Sequence, residues 1–174
     1  ANATVNCYPM VQISGSSVRE PIDLQQGTYE GLDQLAVAKP LVKAAYRVNK
    51  VEDIPTGVVR AFRAAMSGRP GGVYLDITTP ALGQILDMDA AEKLIYKPVD
   101  IAPAMPPAKE AVARAMQLIA GARRPAFLIG KGAAYARVEA EMRQLVDKTG
   151  IPFYCMSMAK GFLPDTDPLS ALSC

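Results

Sequence analysis

The sequence has no histidine. Serine–histidine–aspartate and cysteine–histidine mechanisms are therefore impossible within it. Metal sites of the usual histidine-rich kind are excluded as well. Cysteine is scarce. Cys7, Cys155 and Cys174 stand far apart and lack zinc spacing. They read as small buried or incidental thiols of a reducing compartment. Net charge is nearly absent: 19 Lys and Arg against 17 Asp and Glu leave +2. That is too weak and too dispersed to argue for a nucleic-acid partner. No apolar run is long enough to span a bilayer, and no charged-then-apolar leader is present. The expectation is a soluble, cytoplasmic protein without a membrane partner. An initiator methionine is missing too. The opening Ala1-Asn2-Ala3-Thr4-Val5-Asn6 reads as the end of an element, and Ser173-Cys174 closes none. The expectation is a piece of something longer.

What is present is a packed core and a repeated punctuation. Half of the 174 residues are hydrophobic, which argues for one or two small folded domains rather than disorder. The stretch Ser67-Gly68-Arg69-Pro70-Gly71-Gly72-Val73-Tyr74-Leu75-Asp76-Ile77 follows an amphipathic helix and ends in an apolar run. A shorter echo is Ala120-Gly121-Ala122-Arg123-Arg124-Pro125-Ala126-Phe127-Leu128-Ile129-Gly130. Gly near a helix C-terminus supplies a left-handed turn. Pro cannot continue the helix and biases its predecessor toward extended backbone. An apolar run then suits a strand covered on both faces. Helix, Gly, Arg-Pro and strand, twice over, is the punctuation of an α/β fold built from parallel-sheet units with flanking helices.

Along the chain, residues 1–7 close a helix and Pro9 to Gly15 reads as a strand. Ser14-Gly15-Ser16-Ser17 is either a plain strand-end loop or a ligand loop at the carboxyl end of a parallel strand. Leu32 to Ala38 is a short helix, and Ala44 to Val48 a strand. Asp53 is placed to cap the next helix, with Pro55 in its first turn. Val58, Val59, Phe62, Ala65 and Met66 then form its buried face. Residues 79–105 are punctuated by Pro80, Pro98 and Pro103 and read as a surface linker with one short helix at Asp89 to Ile95. The alternation resumes at residue 106. Val112, Ala115, Met116 and Ile119 form a second helix face, and Pro125 to Ile129 a strand. Val138, Met142, Leu145 and Val146 mark a third helix, closed by Gly150. Ile151 to Met156 is another strand, so one βαβ unit is expected.

Two short patterns could carry chemistry. Gly130-Lys131-Gly132 is neither a P-loop nor a full dinucleotide fingerprint. A Lys between glycines after a strand can still meet a phosphate, or it can be an ordinary loop residue. Tyr29-Glu30 lies on a polar, Gly-flanked loop. A phenol and a carboxylate there can order water or donate a proton, although most exposed Tyr-Glu pairs do nothing.

Taken together, four segments resemble one family. They are Asp23-Leu24-Gln25-Gln26-Gly27 with Tyr29-Glu30, Ser67-Gly68-Arg69-Pro70-Gly71-Gly72, Gly130-Lys131-Gly132-Ala133-Ala134-Tyr135, and Met158-Ala159-Lys160-Gly161. They resemble the thiamine-diphosphate-dependent decarboxylases, and within them the oxalyl-CoA decarboxylase branch. The resemblance implies that residues 1–78 are the C-terminal part of a pyrimidine-binding domain and 79–105 an interdomain linker. It implies that 106–174 are the N-terminal part of a Rossmann-like, nucleotide-binding central domain. The implied reaction is decarboxylation of oxalyl-CoA to formyl-CoA and CO2, in oxalate catabolism. Thiamine diphosphate and Mg2+ are the implied cofactors, held by segments outside residues 1–174. The chain alone is therefore expected to be inactive, with no metal site of its own. Tyr29 and Glu30 become active-site residues by the resemblance. Arg69 and Lys131 become contacts to an activating ADP. A homo-oligomer, dimer or tetramer, is implied. Thr28 and Gly31 depart from the acidic residues expected beside the Tyr-Glu pair. An acetolactate-synthase-like carboligase and a non-catalytic nucleotide-binding regulatory module are the alternatives.

Overall fold

The computed structural model describes residues 1–24, 26, 31–95 and 105–172. The chain forms two compact units, Ala1–Met105 and Pro106–Cys174. Among the described residues, both are α/β units with parallel strands only.

The first unit contains α1 (Asn2–Val5), β1 (Met10–Ser16), α2 (Arg19–Asp23), α3 (Gln34–Ala38), β2 (Ala44–Val48), α4 (Ile54–Met66), β3 (Gly72–Thr78), α5 (Thr79–Leu82) and α6 (Met88–Leu94). Its sheet has the order β1-β3-β2. All seven residues of β3 are buried, as the continuous run Val73-Tyr74-Leu75 leads one to expect of a strand flanked on both edges. Side chains alternate between faces. Val73, Leu75 and Ile77 point with Val48 to one face, where Ala61 and Ala65 of α4 complete the core.

The inward face of α4 is the expected one only in part: Ala65 is buried and Val58 packs against the core. Gly57, Ala61 and Ala65 are buried, whereas Phe62 and Met66 are 45% and 43% exposed. The reason is close approach. A Cβ on Gly57 would lie 2.7 Å from Val48 Cγ2, so only small residues fit the seam. Asp53 occupies the N-cap position without a side-chain hydrogen bond, because its backbone is already helical. Gly68 has φ +55° and turns the chain from α4 toward β3, as expected. The stretch read as a surface linker begins as structure: Ala81 of α5 is 1% exposed within the core.

The second unit contains α7 (Lys109–Gly121), β4 (Phe127–Ile129), α8 (Lys131–Ala136), α9 (Glu139–Thr149) and β5 (Phe153–Cys155). Its core gathers Ile129, Val146, Phe153, Cys155 and Leu163. Gly150 caps α9 with φ +65°, matching the Thr149-Gly150 signal. The face read for α7 is not buried: that helix has no buried residue. Nor does Gly121 turn left-handed. It closes the helix and Ala122 extends the backbone, so the echo of the Gly68 turn is one of sequence only.

Candidate functional site

The strands of the first sheet turn a polar face away from α4. Parallel register sets Gln12 beside Tyr74, Ser14 beside Asp76 and Ser16 beside Thr78. On the other edge it sets Arg47 beside Asp76. With a side-chain period of two, these residues share one face and crowd toward the carboxyl ends of the strands, where open α/β sheets bind ligands. Burying such a face requires partners for its polar groups.

Gln34, the first residue of α3, supplies several. Its Oε1 accepts from the Tyr74 hydroxyl at 2.8 Å and from Ser14 Oγ at 3.0 Å, while its Nε2 donates to the Gly15 carbonyl at 3.2 Å. A cavity of about 290 Å³ opens beside it, with Gln12, Ser14, Gln34 and Tyr74 on its polar side and Val37 and Leu41 on its apolar side. Ser16 Oγ and Thr78 Oγ1 are buried without a hydrogen-bond partner among the described residues.

Charge on this face is concentrated in one relay. The Asp76 side chain is fully buried, and Arg47 Nε donates to its Oδ2 at 2.5 Å. Arg47 Nη2 donates to Asp33 Oδ1 at 3.1 Å. The same Oδ1 caps α3 by accepting from the Ala36 amide at 3.1 Å. Asp33 Oδ2 faces Arg19 Nη1 at 3.1 Å, and Arg19 pairs with Asp23 in its own helix. The Ala36 hydrogen bond leads in lowering the Asp33 pKa. The Arg47 and Arg19 bonds add to it against partial burial, and the carboxyl settles at about 2 instead of 3.8. Burial works against the charge of Arg47, but the carboxylates of Asp76 and Asp33 outweigh it and raise its pKa.

Of the residues singled out from sequence, Tyr29 and Glu30 lie outside the described residues. Arg69 sits in the first unit beyond the Gly68 turn. Its Nε donates to Cys7 Sγ at 2.9 Å and its Nη2 to the Val5 carbonyl at 3.3 Å. It shares a groove of about 430 Å³ with Lys43, Thr4, Val5 and Pro70, and Lys43 Nζ donates to the Ser67 carbonyl at 2.5 Å. Two cations thus line one groove. Lys131 sits in the second unit, and the loop expected around it is shorter than expected. Gly130 is the N-cap and Lys131 already opens α8. Gln34, Arg47, Asp33 and Asp76 were missed from sequence. The available signal was an Asp in the apolar run Val73-Tyr74-Leu75-Asp76-Ile77 and an Arg in the short strand Ala44-Ala45-Tyr46-Arg47-Val48.

Among the described residues no three of Asp, Glu and Cys cluster to hold a metal ion. No described helix is long and apolar enough to cross a membrane.

Residues 112–173 match the family described as thiamine pyrophosphate enzyme, central domain. The chain is 50% identical over 171 residues to oxalyl-CoA decarboxylase of Escherichia coli strain K12, covering 98% of this chain and 30% of that protein. It is 41% identical over 178 residues to 2-hydroxyacyl-CoA lyase of Oryza sativa subsp. japonica, again covering 98% of this chain and 30% of that one. A solved structure from Mycobacterium smegmatis, described as a thiamin diphosphate-dependent enzyme, superimposes with a TM-score of 0.70 at 22% identity, over 98% of this chain and 32% of that one. At that identity the likeness is one of fold. The chain spans about 30% of the length of the curated relatives it matches. On these matches and on its parallel α/β units, the chain belongs to the thiamine-pyrophosphate-dependent enzymes.

Proposed function

We propose that this chain serves a thiamine-diphosphate-dependent carbon–carbon lyase that converts oxalyl-CoA to formyl-CoA and CO2. The observation that carries the proposal is the 50% identity to a decarboxylase named for that substrate, sustained over 98% of the chain. The reaction removes CO2 and returns one proton to the carbon it leaves. In this reading Tyr29 and Glu30 serve that proton transfer, since a phenol beside a carboxylate can hold and deliver a proton. When bound, thiamine diphosphate supplies the electron sink. Together with Mg2+ it belongs to parts of the whole protein beyond these residues, as does assembly into a homo-oligomer. The 174-residue chain alone is then catalytically silent.

ADP enters as an activator, with Arg69 and Lys131 as separate candidate contacts, each within its own unit. The pairing of Arg69 with Lys43 along one groove supports an anionic ligand on the first unit, because a guanidinium fork and an ammonium both favour phosphate oxygens.

A second reading, cleavage of 2-hydroxyacyl-CoA thioesters, is favoured by the 41% identity to a lyase of that name. One assay separates the two. The whole protein, supplied with thiamine diphosphate and Mg2+, is offered oxalyl-CoA or a 2-hydroxyacyl-CoA, and the CoA products are resolved by chromatography. Formyl-CoA from oxalyl-CoA is the expected result. An aldehyde plus formyl-CoA from the hydroxyacyl thioester, with oxalyl-CoA untouched, would replace the first reading by the second.

A further inference from the structure

Cys7 holds a backbone conformation that its residue type does not favour. Two nested hydrogen bonds close the end of α1: the Tyr8 amide donates to the Ala3 carbonyl at 2.8 Å and the Cys7 amide to the Thr4 carbonyl at 3.3 Å. In such a cap the residue after the C-cap turns left-handed, a place that glycine usually takes. Here the C-cap is Asn6, and Cys7 follows it with φ +60°. A Cβ costs energy in that conformation, so glycine would serve the turn better. What the side chain adds is a contact to the far end of the unit's sequence. Buried Cys7 Sγ accepts from Arg69 Nε at 2.9 Å, and the Val5 carbonyl accepts from Arg69 Nη2 at 3.3 Å. Nε and Nη2 form one side edge of a guanidinium. With that edge occupied, its end, Nη1 with the second Nη2 hydrogen, is what the groove lined by Arg69, Lys43 and Pro70 has to offer an anion. Such a planar pair of donors matches phosphate oxygens.

We propose that Cys7 is a positioning residue for a nucleoside diphosphate: its thiol holds the side edge of Arg69 so that the end of the guanidinium meets phosphate oxygens in the groove. The inference rests on the reading of that groove as a nucleotide site, and adds to it the residue that presets its arginine. An arginine ordered beforehand gives up less side-chain freedom when the anion arrives. Lys43 is held in a similar way, by the Ser67 carbonyl at 2.5 Å. Cys7 itself does not touch the ligand in this account. A merely structural account would have Cys7 only close α1. Two variants separate the accounts. Cys7→Gly gives the turn the residue it favours and removes the acceptor of Arg69 Nε. Cys7→Ser keeps an acceptor there and keeps the Cβ in the left-handed turn.

The test is calorimetric titration of ADP into the whole protein, with thermal unfolding followed alongside. Cys7→Gly is expected to bind ADP about three- to tenfold more weakly, the loss from leaving one long side chain to be ordered on binding. Cys7→Ser is expected to stay within about twofold of wild type, since its hydroxyl can accept from Nε. Thermal midpoints should run the other way, with Cys7→Gly melting at or above Cys7→Ser because the turn is relieved. In an Arg69→Ala background, Cys7→Gly should add no further loss of affinity, because the two residues act as one unit. Wild-type affinity in Cys7→Gly overturns the proposal, as does an equal loss in the Gly and Ser variants or a full further loss in the Arg69→Ala background. A wild-type protein that takes up no ADP overturns the nucleotide reading and the proposal together; a wild-type protein that binds ADP no better than Cys7→Gly overturns the proposal alone.

Discussion

Replacing Arg47 by Met should be the most damaging single change of charge in the first unit. Asp76 is fully buried, and Arg47 is its ion-pair partner at 2.5 Å. Its second oxygen, Oδ1, has no hydrogen-bond partner among the described residues. Met preserves much of the aliphatic stem and removes the guanidinium. What remains is a carboxylate inside a sheet, with nothing to replace the water it lost. Breaking a buried pair from one side costs about 3–5 kcal/mol. Removing both members should cost far less, because no orphaned charge is left. The double variant Arg47→Met with Asp76→Leu is expected within about 1 kcal/mol of wild type, in line with the near-neutral replacement of buried pairs by apolar residues. Hydrogen exchange of the β3 amides reads the difference, with β5 in the second unit as internal control. At one decade per 1.4 kcal/mol, β3 should exchange about two to four decades faster in the single variant. A single variant within about 1 kcal/mol of wild type would show that Asp76 is not desolvated in the sense argued here. A double variant no better than the single one would show that the lost guanidinium contacts, and not the stranded carboxylate, carry the cost.

Three other outcomes are expected. Gly57→Ala sets a methyl carbon 2.7 Å from Val48 Cγ2. Despite the better helix former, urea denaturation should show a net loss of about 1–2 kcal/mol from overpacking. The Asp33 carboxyl has a folded-state pKa of about 2 against 3.8, so the stability it contributes is present above pH 4 and lost as pH falls through about 2. Because its side chain is 37% exposed, that contribution is held to about 1 kcal/mol, and the acid unfolding curve of Asp33→Asn should be flatter by that amount over the same range. In the whole protein, Tyr29→Phe and Glu30→Gln should each lower kcat about ten- to a thousandfold with thiamine diphosphate affinity little changed; steady-state kinetics with unaltered kcat in both would return the pair to an ordinary loop.

The alternation of elements was legible because it rests on short-range signals. Gly68 and Gly150 mark helix ends by the backbone they permit, and both take positive φ. The run Val73-Tyr74-Leu75-Asp76-Ile77 reads as buried because few residue types tolerate two covered faces. Depth of approach was not legible. Periodicity ranks Phe62 and Met66 above Gly57 and Ala61, yet the helix comes so close to the sheet that bulk must face outward. The polar site was hidden for a related reason. Arg47 and Asp76 are 29 positions apart, and only the register of β2 on β3 brings them side by side. An Arg in one strand and an Asp in another are unremarkable until pairing is known. Gln34 is a further case, since a Gln opening a short helix carries no signal until the neighbouring strands are in place.

The meeting of Arg47 with Asp76 also bears on how the chain finds its alignment. Parallel strands joined through a helix have few local contacts to guide them and pair late. A slip by one residue would turn the side-chain pattern of β3 over, sending Asp76 to the greasy side beneath α4 and Leu75 to the wet one. Apolar neighbours tolerate small misalignments, since one aliphatic contact resembles another. A carboxylate stranded under a helix does not, because its charge would have no counterpart within reach. The pair thus acts as proofreading: it adds little to the finished sheet but makes each misaligned one expensive. By this logic the apolar double variant should reach the native state through a broader set of mispaired intermediates, visible as split isotopic envelopes for β3 during refolding.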